Sequence, residues 1–153
     1  MSTKELIHSG LCTKDLEACI NFYVKAFGFK VIFKDTNIQK EIESITGVKN
    51  LSCSLAQLSI PGSDHLIELL QFHGLKPSDF VLPKLPLHPG QSHIAFNVKD
   101  MESCIAKVTN LGAKILGSIT KFPEGRAAYF CEPSGTFFEI SEAKFPEAKD
   151  ESN

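Results

Sequence analysis

Apolar and polar residues alternate near the start of the chain and then change to a helical spacing. Over residues 6–13 the alternation places Ile7 and Leu11 on one face of a predicted strand and His8 on the other. From residue 16 to 27 the apolar side chains recur every three or four positions, after an aspartate suited to an N-cap and before a glycine suited to a helix end. The pattern therefore predicts a strand followed by an amphipathic helix.

Further strands and a short helix are predicted in the rest of the first half. We expect a strand over residues 29–34 and a surface helix over residues 38–46. Two apolar stretches, 51–60 and 65–72, flank the sequence PGSD at 61–64, where Pro and Gly stand at positions that turns favour. This arrangement predicts a β-hairpin.

The second half of the chain repeats the same order of elements. A strand is predicted over 92–98 and a helix over 100–111, followed by strands over 113–120, 126–131 and 136–142. Each half therefore has the order βαβββ, and the predicted fold class is α+β. The predicted organisation is a first module at 5–72, a proline-rich linker at 73–91, a second module at 92–142 and a polar tail at 143–153.

The repeat is also visible in the sequence itself. The segments HSGLCTKDLEACI and HIAFNVKDMESCI begin with His8 and His93 and match at most of their polar and apolar positions. Well downstream of each segment, an apolar strand contains a single glutamate, Glu68 in the first half and Glu139 in the second. A duplicated unit that supplies one histidine and one glutamate per copy indicates a metal site.

Strand alternation predicts where these four residues point. Helices cover the apolar face of each sheet, so His8 and His93 point to the opposite, concave face. Glu68 and Glu139 share their faces with apolar neighbours, and a partly buried carboxylate is costly unless it is paired. Two imidazoles and two carboxylates suit a divalent metal ion such as Zn, Ni, Co, Fe or Mn. Phe72 and Phe137 lie near the glutamates and are predicted to line the substrate site.

Composition excludes several other classes of function. The net charge is −2 with acidic and basic residues interspersed, so neither nucleic acid nor a membrane surface is an expected partner. No stretch approaches the ~18 apolar residues of a membrane-spanning helix, and residues 1–10 lack the apolar run of a signal peptide. The five cysteines form no CxxC motif, which favours reduced thiols and a cytoplasmic protein.

Two motifs carry a resemblance to a known superfamily. The first is H-x-G-L-x-x-x-D-L-x-x-x-x-x-F-Y at 8–23 with the AFGF that follows, and the second is Y-F-x-x-P-x-G-x-x-x-E at 129–139. The chain resembles the vicinal oxygen chelate superfamily, which includes glyoxalase I, methylmalonyl-CoA epimerase, extradiol dioxygenases and bleomycin- or fosfomycin-resistance proteins. The resemblance implies two βαβββ modules that form a cup-shaped sheet. It places the family's metal ligands on the same four residues.

The ligand set favours one branch of this superfamily. Similar glyoxalases have His, Glu, His and Glu in this order, whereas related epimerases usually have Gln where Glu68 stands. The resemblance therefore implies a lyase or isomerase, such as lactoylglutathione lyase, in which Glu139 or Glu68 removes a proton from a small substrate that binds the metal through two adjacent oxygens. An extradiol-type dioxygenase and a non-catalytic, resistance-type binding protein are the alternatives.

The substrate and the assembly stay open at this level. Lactoylglutathione lyases usually have an arginine just before the first histidine, but the only arginine of this chain is Arg126. Arg126 is a candidate to bind a substrate anion bidentately, with a surface role as the alternative. We expect a homodimer, because open sheet edges and a small core favour pairing. The metal is held either within one chain or between two.

Overall fold

Two β-sheets with helices beside them form the part of the chain that the computed structural model describes, residues 6–76, 85–87 and 90–144. The elements are β1 (His8–Cys12), α1 (Leu16–Phe27), β2 (Lys30–Ile38), α2 (Lys40–Thr46), β3 (Ser52–Ser59), β4 (Leu66–His73), β5 (Ile94–Asn97), α3 (Met101–Asn110), β6 (Lys114–Ile115), β7 (Thr120–Phe122), β8 (Gly125–Cys131) and β9 (Phe137–Ala143). The α+β class is confirmed.

The two sheets have equivalent topologies. The first has the order β1-β4-β3-β2 and the second has the order β5-β9-β8-β6, with β7 also paired to β8. In each sheet the first strand runs parallel to the last one, and the other pairs are antiparallel. The strand that begins at or just after each candidate histidine, β1 or β5, therefore lies at a sheet edge. This position matters for the assembly of the site.

Both main helices begin at the aspartates that the sequence indicates. The Asp15 side chain accepts a hydrogen bond from the backbone N–H of Ala18, and Asp100 accepts one from the N–H of Ser103. These caps satisfy N–H groups that have no partner within the helix. Gly28 ends α1 with a φ of 77°, a left-handed conformation that glycine adopts without a steric penalty.

One hydrophobic core joins the two modules. Ile67 and Leu69 from the first sheet and Phe138 and Ile140 from the second belong to the same buried cluster as the apolar face of α1. The Phe27 ring of α1 stacks on Phe96 of β5 with centroids 3.8 Å apart. The helix-facing sides of both sheets are thus turned to a shared core, and their other sides are turned away from it.

Several element boundaries differ from those predicted. The strand expected over 113–120 is divided into β6 and β7, because a bend around Gly117 interrupts it. The first predicted hairpin is confirmed, although its second strand extends to His73, which the sequence assigned to the linker. Most of the predicted linker and tail lie outside the described residues. Within the described ranges, no helix is long and apolar enough to cross a membrane.

Candidate metal centre

The first candidate pair is His8 with Glu68. In the parallel β1–β4 ladder, Gly10 lies opposite Glu68, so His8 is two residues from that position and on the same face. His8 Nε2 lies 3.7 Å from Glu68 Oε1. The other carboxylate oxygen of Glu68 accepts a 2.8 Å hydrogen bond from the side-chain amide of Gln57 on β3. The glutamate is therefore held in position while one of its oxygens faces the imidazole.

The second pair, His93 with Glu139, has the same construction. Ala95 lies opposite Glu139 in the parallel β5–β9 ladder, which again places the histidine two residues away on the same face. His93 Nε2 lies 3.3 Å from Glu139 Oε2, and the Ser141 hydroxyl donates a hydrogen bond to Glu139 Oε1. The ring of Tyr129, opposite Glu139 in the β8–β9 ladder, lies 4.6 Å from the His93 ring between centroids. Two neighbours therefore orient this pair.

The spacing within each pair fits two ligands of one metal ion. Ligands bound about 2.1 Å from an ion, at roughly right-angled to tetrahedral geometry, lie about 3.0–3.4 Å from each other. The observed separations, 3.7 Å in the first pair and 3.3 Å in the second, are close to that range. Imidazole nitrogen and carboxylate oxygen also suit Zn and the neighbouring transition metals. Each pair thus fits one half of a four-ligand site.

The two halves do not come together within one chain. In the ranges 6–76, 85–87 and 90–144, no group of three or more His, Cys, Asp or Glu side chains is placed to hold a metal ion. The expected convergence of all four candidates is therefore not found within a single chain. The reason is architectural, because each pair lies on its own sheet and the described strands form no ladder between the sheets.

A cavity of about 370 Å³ adjoins the second pair. Glu139 lies in its wall, together with Tyr129 and a segment of the inter-module region, Leu85 to Leu87. The other lining residues are Leu116, Gly117, Ser118, Thr120, Phe122, Ala127 and Ala128. Among the described residues that line the cavity, Glu139 is the only charged one. The cavity is thus an apolar space with a carboxylate at its wall.

The two phenylalanines predicted to line the site have different positions. Phe72 is partly buried on the same face of β4 as Glu68. Phe137 shares a face of β9 with Glu139 but is only 5% exposed, and it lines a separate cavity of about 310 Å³ with Gly10 and Gln91. Neither residue lines the cavity next to Glu139.

Arg126 does not belong to the candidate site. Arg126 and Tyr129 lie on opposite faces of β8. Arg126 therefore shares the core-facing side with Ala128 and Phe130. Its guanidinium donates two hydrogen bonds to Glu102 of α3, at 2.5 and 2.7 Å, and one to Glu142 of β9 at 2.7 Å. Two carboxylates thus engage Arg126 on the face of the sheet opposite Glu139, which favours the surface role that the sequence left as the alternative to binding a substrate anion.

The remaining histidines are placed as structural residues where the structure describes them. His65 Nε2 lies 2.9 Å from the Ser9 hydroxyl, and His73 Nε2 lies 2.9 Å from the Ser54 hydroxyl. Both contacts connect neighbouring parts of the first sheet. His88 lies outside the described residues.

Sequence reasoning missed two residues of the site, Gln57 and Tyr129. Both lie directly opposite a candidate glutamate in an antiparallel ladder, Gln57 opposite Glu68 and Tyr129 opposite Glu139. Such cross-strand partners are close neighbours on one face. The sequence did contain a signal for Tyr129, which opens the second motif. Strand alternation counted back from Glu139 across the turn places Tyr129 on the same face as Glu139.

Two sheets of equivalent topology, each with a His–Glu pair, are typical of proteins built from two βαβββ modules. Sequence comparison identifies the superfamily. The family model described as the Glyoxalase/Bleomycin resistance protein/Dioxygenase superfamily matches residues 5–140, and the chain belongs to this superfamily.

Individual relatives support the fold. The uncharacterized protein YwbC of Bacillus subtilis (strain 168) is 27% identical over 140 residues, which cover 90% of this chain and 96% of YwbC. The crystal structure of a glyoxalase family protein from Bacillus cereus has a TM-score of 0.78 and 17% identity, covering 95% of this chain and 97% of that one. A mutant of the fosfomycin resistance protein FosX from Listeria monocytogenes, solved with Mn(II) and a dihydroxypropylphosphonic acid, has a TM-score of 0.63 and 17% identity, covering 94% of each chain.

Proposed function

We propose that this protein is a metal-dependent lyase or isomerase of the glyoxalase type. Its substrate is a small molecule that binds the metal through two adjacent oxygens. The observation that carries the proposal is the duplicated pair, with one imidazole and one carboxylate on equivalent strands of both modules. Partly buried carboxylates are costly unless a positive charge or hydrogen-bond donors compensate for them, and one divalent metal would compensate for both.

The complete site is formed between two copies of the chain. The strands associated with the two histidines, β1 and β5, are both edge strands in the described sheets, with one side free of a ladder partner. Open edges favour pairing with another chain. An isologous dimer that brings β1 of one copy beside β5 of the other would join His8 and Glu68 to His93 and Glu139 twice. The homodimer therefore contains two metal sites.

The two glutamates have different roles in this proposal. A divalent metal bound by the four ligands supplies Lewis acidity, which makes the C–H next to the chelating oxygens more acidic. Glu139 takes the proton, because its carboxylate reaches the cavity that admits a substrate. Glu68 lines none of the described cavities, and the Gln57 amide holds one of its oxygens. Glu68 is thus a ligand that stays in place.

The location of the protein is part of the same proposal. All five cysteines are free thiols. Free thiols without disulfides are typical of a reducing compartment, and we propose a cytoplasmic enzyme.

Metal analysis and mixed dimers test the proposal together. The purified protein is expected to bind about one divalent ion per chain and, with Ni, Co or Zn, to isomerise hemithioacetals. His8→Ala and His93→Ala are each expected to be inactive as homodimers. Dimers formed from a mixture of the two variants should regain about a quarter of the wild-type activity, because half of them are mixed and each mixed dimer has one intact site of two.

Different outcomes would contradict different parts of the proposal: the location of the site, the binding of metal or the class of reaction. Mixed dimers of confirmed composition that remain inactive would show that the site lies within one chain. Protein that binds no divalent metal would exclude the metal site altogether. Oxygen consumption with a catechol and Fe(II) or Mn(II) would indicate a dioxygenase, and binding without any turnover would indicate a sequestering protein. His65→Ala is the matched control, since His65 bonds to Ser9 and belongs to neither pair.

A further inference from the structure

The cavity beside Glu139 has an unusual charge pattern for a site that would take an anionic conjugate. Its described lining contains one carboxylate and no lysine or arginine. Its polar lining is otherwise limited to Tyr129, Ser118, Thr120 and backbone groups. An anionic group placed in this apolar space, away from the metal, would lose its hydration, and no lysine or arginine of the described lining would compensate for it. The lining therefore selects against negative charge.

None of the described cations on the neighbouring strands lines the cavity. Lys121 lies opposite Arg126 in the β7–β8 ladder and so shares its face, which is the face on which Arg126 bonds to two glutamates. The flanking residues of β7, Thr120 and Phe122, line the cavity instead. Lys114 lies opposite Cys131, which shares a face with Tyr129, so Lys114 is on the same face of the sheet as the cavity but is not one of its described lining residues. Among the described residues, no lysine or arginine of this sheet therefore lines the cavity.

The cavity has room for a substantial apolar group. Its volume, about 370 Å³, is more than twice the ~150 Å³ of an engineered cavity that admits benzene. Leu85, Leu87 and Phe122 are 40%, 69% and 55% exposed, so the apolar surface around it is open to a ligand. Burial of such surface contributes about 25 cal/mol per Å².

From this lining we infer that the substrate carries a neutral alkyl or aryl group beside its two chelating oxygens, and that it is not an anionic conjugate. The inference rests on the proposed function for the chelation step. It names the substrate class that the second module admits. A hemithioacetal built on an uncharged thiol fits the class, whereas one built on glutathione does not.

Binding of matched diols to the Ni-loaded protein tests the inference without requiring turnover. The probes are 1-(4-methylphenyl)-1,2-ethanediol and its 4-carboxy counterpart, which differ in charge at the end remote from the chelating oxygens. Isothermal titration should give at least roughly tenfold tighter binding of the neutral diol. Ala127→Phe, which fills the cavity, should weaken that binding at least about tenfold, whereas Lys121→Gln on the other face should leave it unchanged.

Gly117→Leu provides a second cavity-filling variant, because a Cβ at Gly117 meets no atom within 4 Å. Equal or tighter binding of the carboxylate would overturn the inference, and so would neutral-diol binding that survives both cavity-filling variants. If no hemithioacetal turns over while the neutral diol still binds selectively, the proposed reaction is wrong and the neutral-ligand inference is supported.

Discussion

The hydroxyl of Tyr23 lies 2.8 Å from the hydroxyl of Thr136, and this hydrogen bond joins the two modules. Tyr23 is fully buried on α1 of the first module, and Thr136 immediately precedes β9, which carries Glu139. The Thr136 hydroxyl also donates to the buried carboxylate of Glu132, which accepts the backbone N–H of Thr136 as well. A helix of one module thereby helps to fix the start of the strand that positions the proposed base of the other.

Tyr23→Phe should destabilise the protein without changing its shape. The substitution removes the phenol oxygen from a buried site and deprives Thr136 of one partner, so we expect a loss of about 1–2 kcal/mol in the free energy of unfolding. Urea denaturation monitored by circular dichroism measures it. Tyr129→Phe is the matched control, because Tyr129 is 40% exposed, and it should change the stability little. Equal stability of the Tyr23 variant and the wild type would contradict the importance of this contact.

Substitution of each glutamate by glutamine separates the base from the ligand. Glu139→Gln should lower kcat by at least about 100-fold while the metal stays substantially bound, because the amide oxygen still ligates but accepts no proton. Glu68→Gln should have a milder effect, since the proposed role of Glu68 is that of a ligand only. Steady-state kinetics with metal content measured on the same samples tests this prediction. Turnover that survives Glu139→Gln unchanged would exclude Glu139 as the base.

Removal of the Arg126 side chain should weaken the attachment of α3 to the second sheet in a pH-dependent way. Hydrogen bonds from Arg126 hold the pKa values of the Glu102 and Glu142 carboxyls below their usual range. Because these pKa values are lowered on folding, the stabilisation is present above the ordinary carboxyl pKa and is lost as the pH falls through the folded values. Arg126→Met should therefore lower the Tm at pH 7, and the difference from the wild type should shrink toward about pH 2–3.

Lys121→Met is the matched control for this experiment. Lys121 lies opposite Arg126 on the same face, but it is exposed and makes none of the described hydrogen bonds to Glu102 or Glu142. Its Tm should match that of the wild type throughout the pH range. A difference between Arg126→Met and wild type that is as large at pH 2 as at pH 7 would show that the effect comes from lost packing and not from the ion pairs.

The cysteines should differ strongly in reactivity. Burial raises the pKa of Cys53 to about 11, and it raises the pKa of Cys19 well above the usual range, so both thiols stay protonated at pH 8. Cys12 is exposed on the edge strand β1. Iodoacetamide labelling followed by mass spectrometry should modify Cys12 well before the two buried thiols, and all five cysteines after denaturation. Early labelling of Cys53 would indicate that the first sheet opens readily.

Local pattern was sufficient for most of the fold and for each half of the site. Strand alternation determines which side chains of a strand share a face, so the sequence predicted that His8 and Glu68 face the concave side once the strands were assigned. The ladder between β1 and β4 that makes them neighbours is a long-range contact. The two capping aspartates were also identified from local pattern, since a cap depends on a few adjacent residues. Alternation along β8 also indicates that Arg126 lies on the face opposite to Tyr129.

The placement of one module against the other was not encoded in local pattern. It depends on long-range contacts such as the stack of Phe27 on Phe96 and the hydrogen bond between Tyr23 and Thr136. A periodicity identifies these side chains as buried but does not identify their partners. The sequence could therefore predict the four candidate ligands, but it could not predict that one chain keeps them as two separate pairs.

The two separate pairs have a consequence for heredity. If each metal site contains one His–Glu pair from each of the two copies, a chain that lacks both His8 and His93 inactivates both sites of any dimer that it forms. In a cell that makes equal amounts of normal and doubly altered chains, only about a quarter of the dimers would keep full activity. Such an allele would be partially dominant over the wild type, whereas an allele that prevents folding would be recessive.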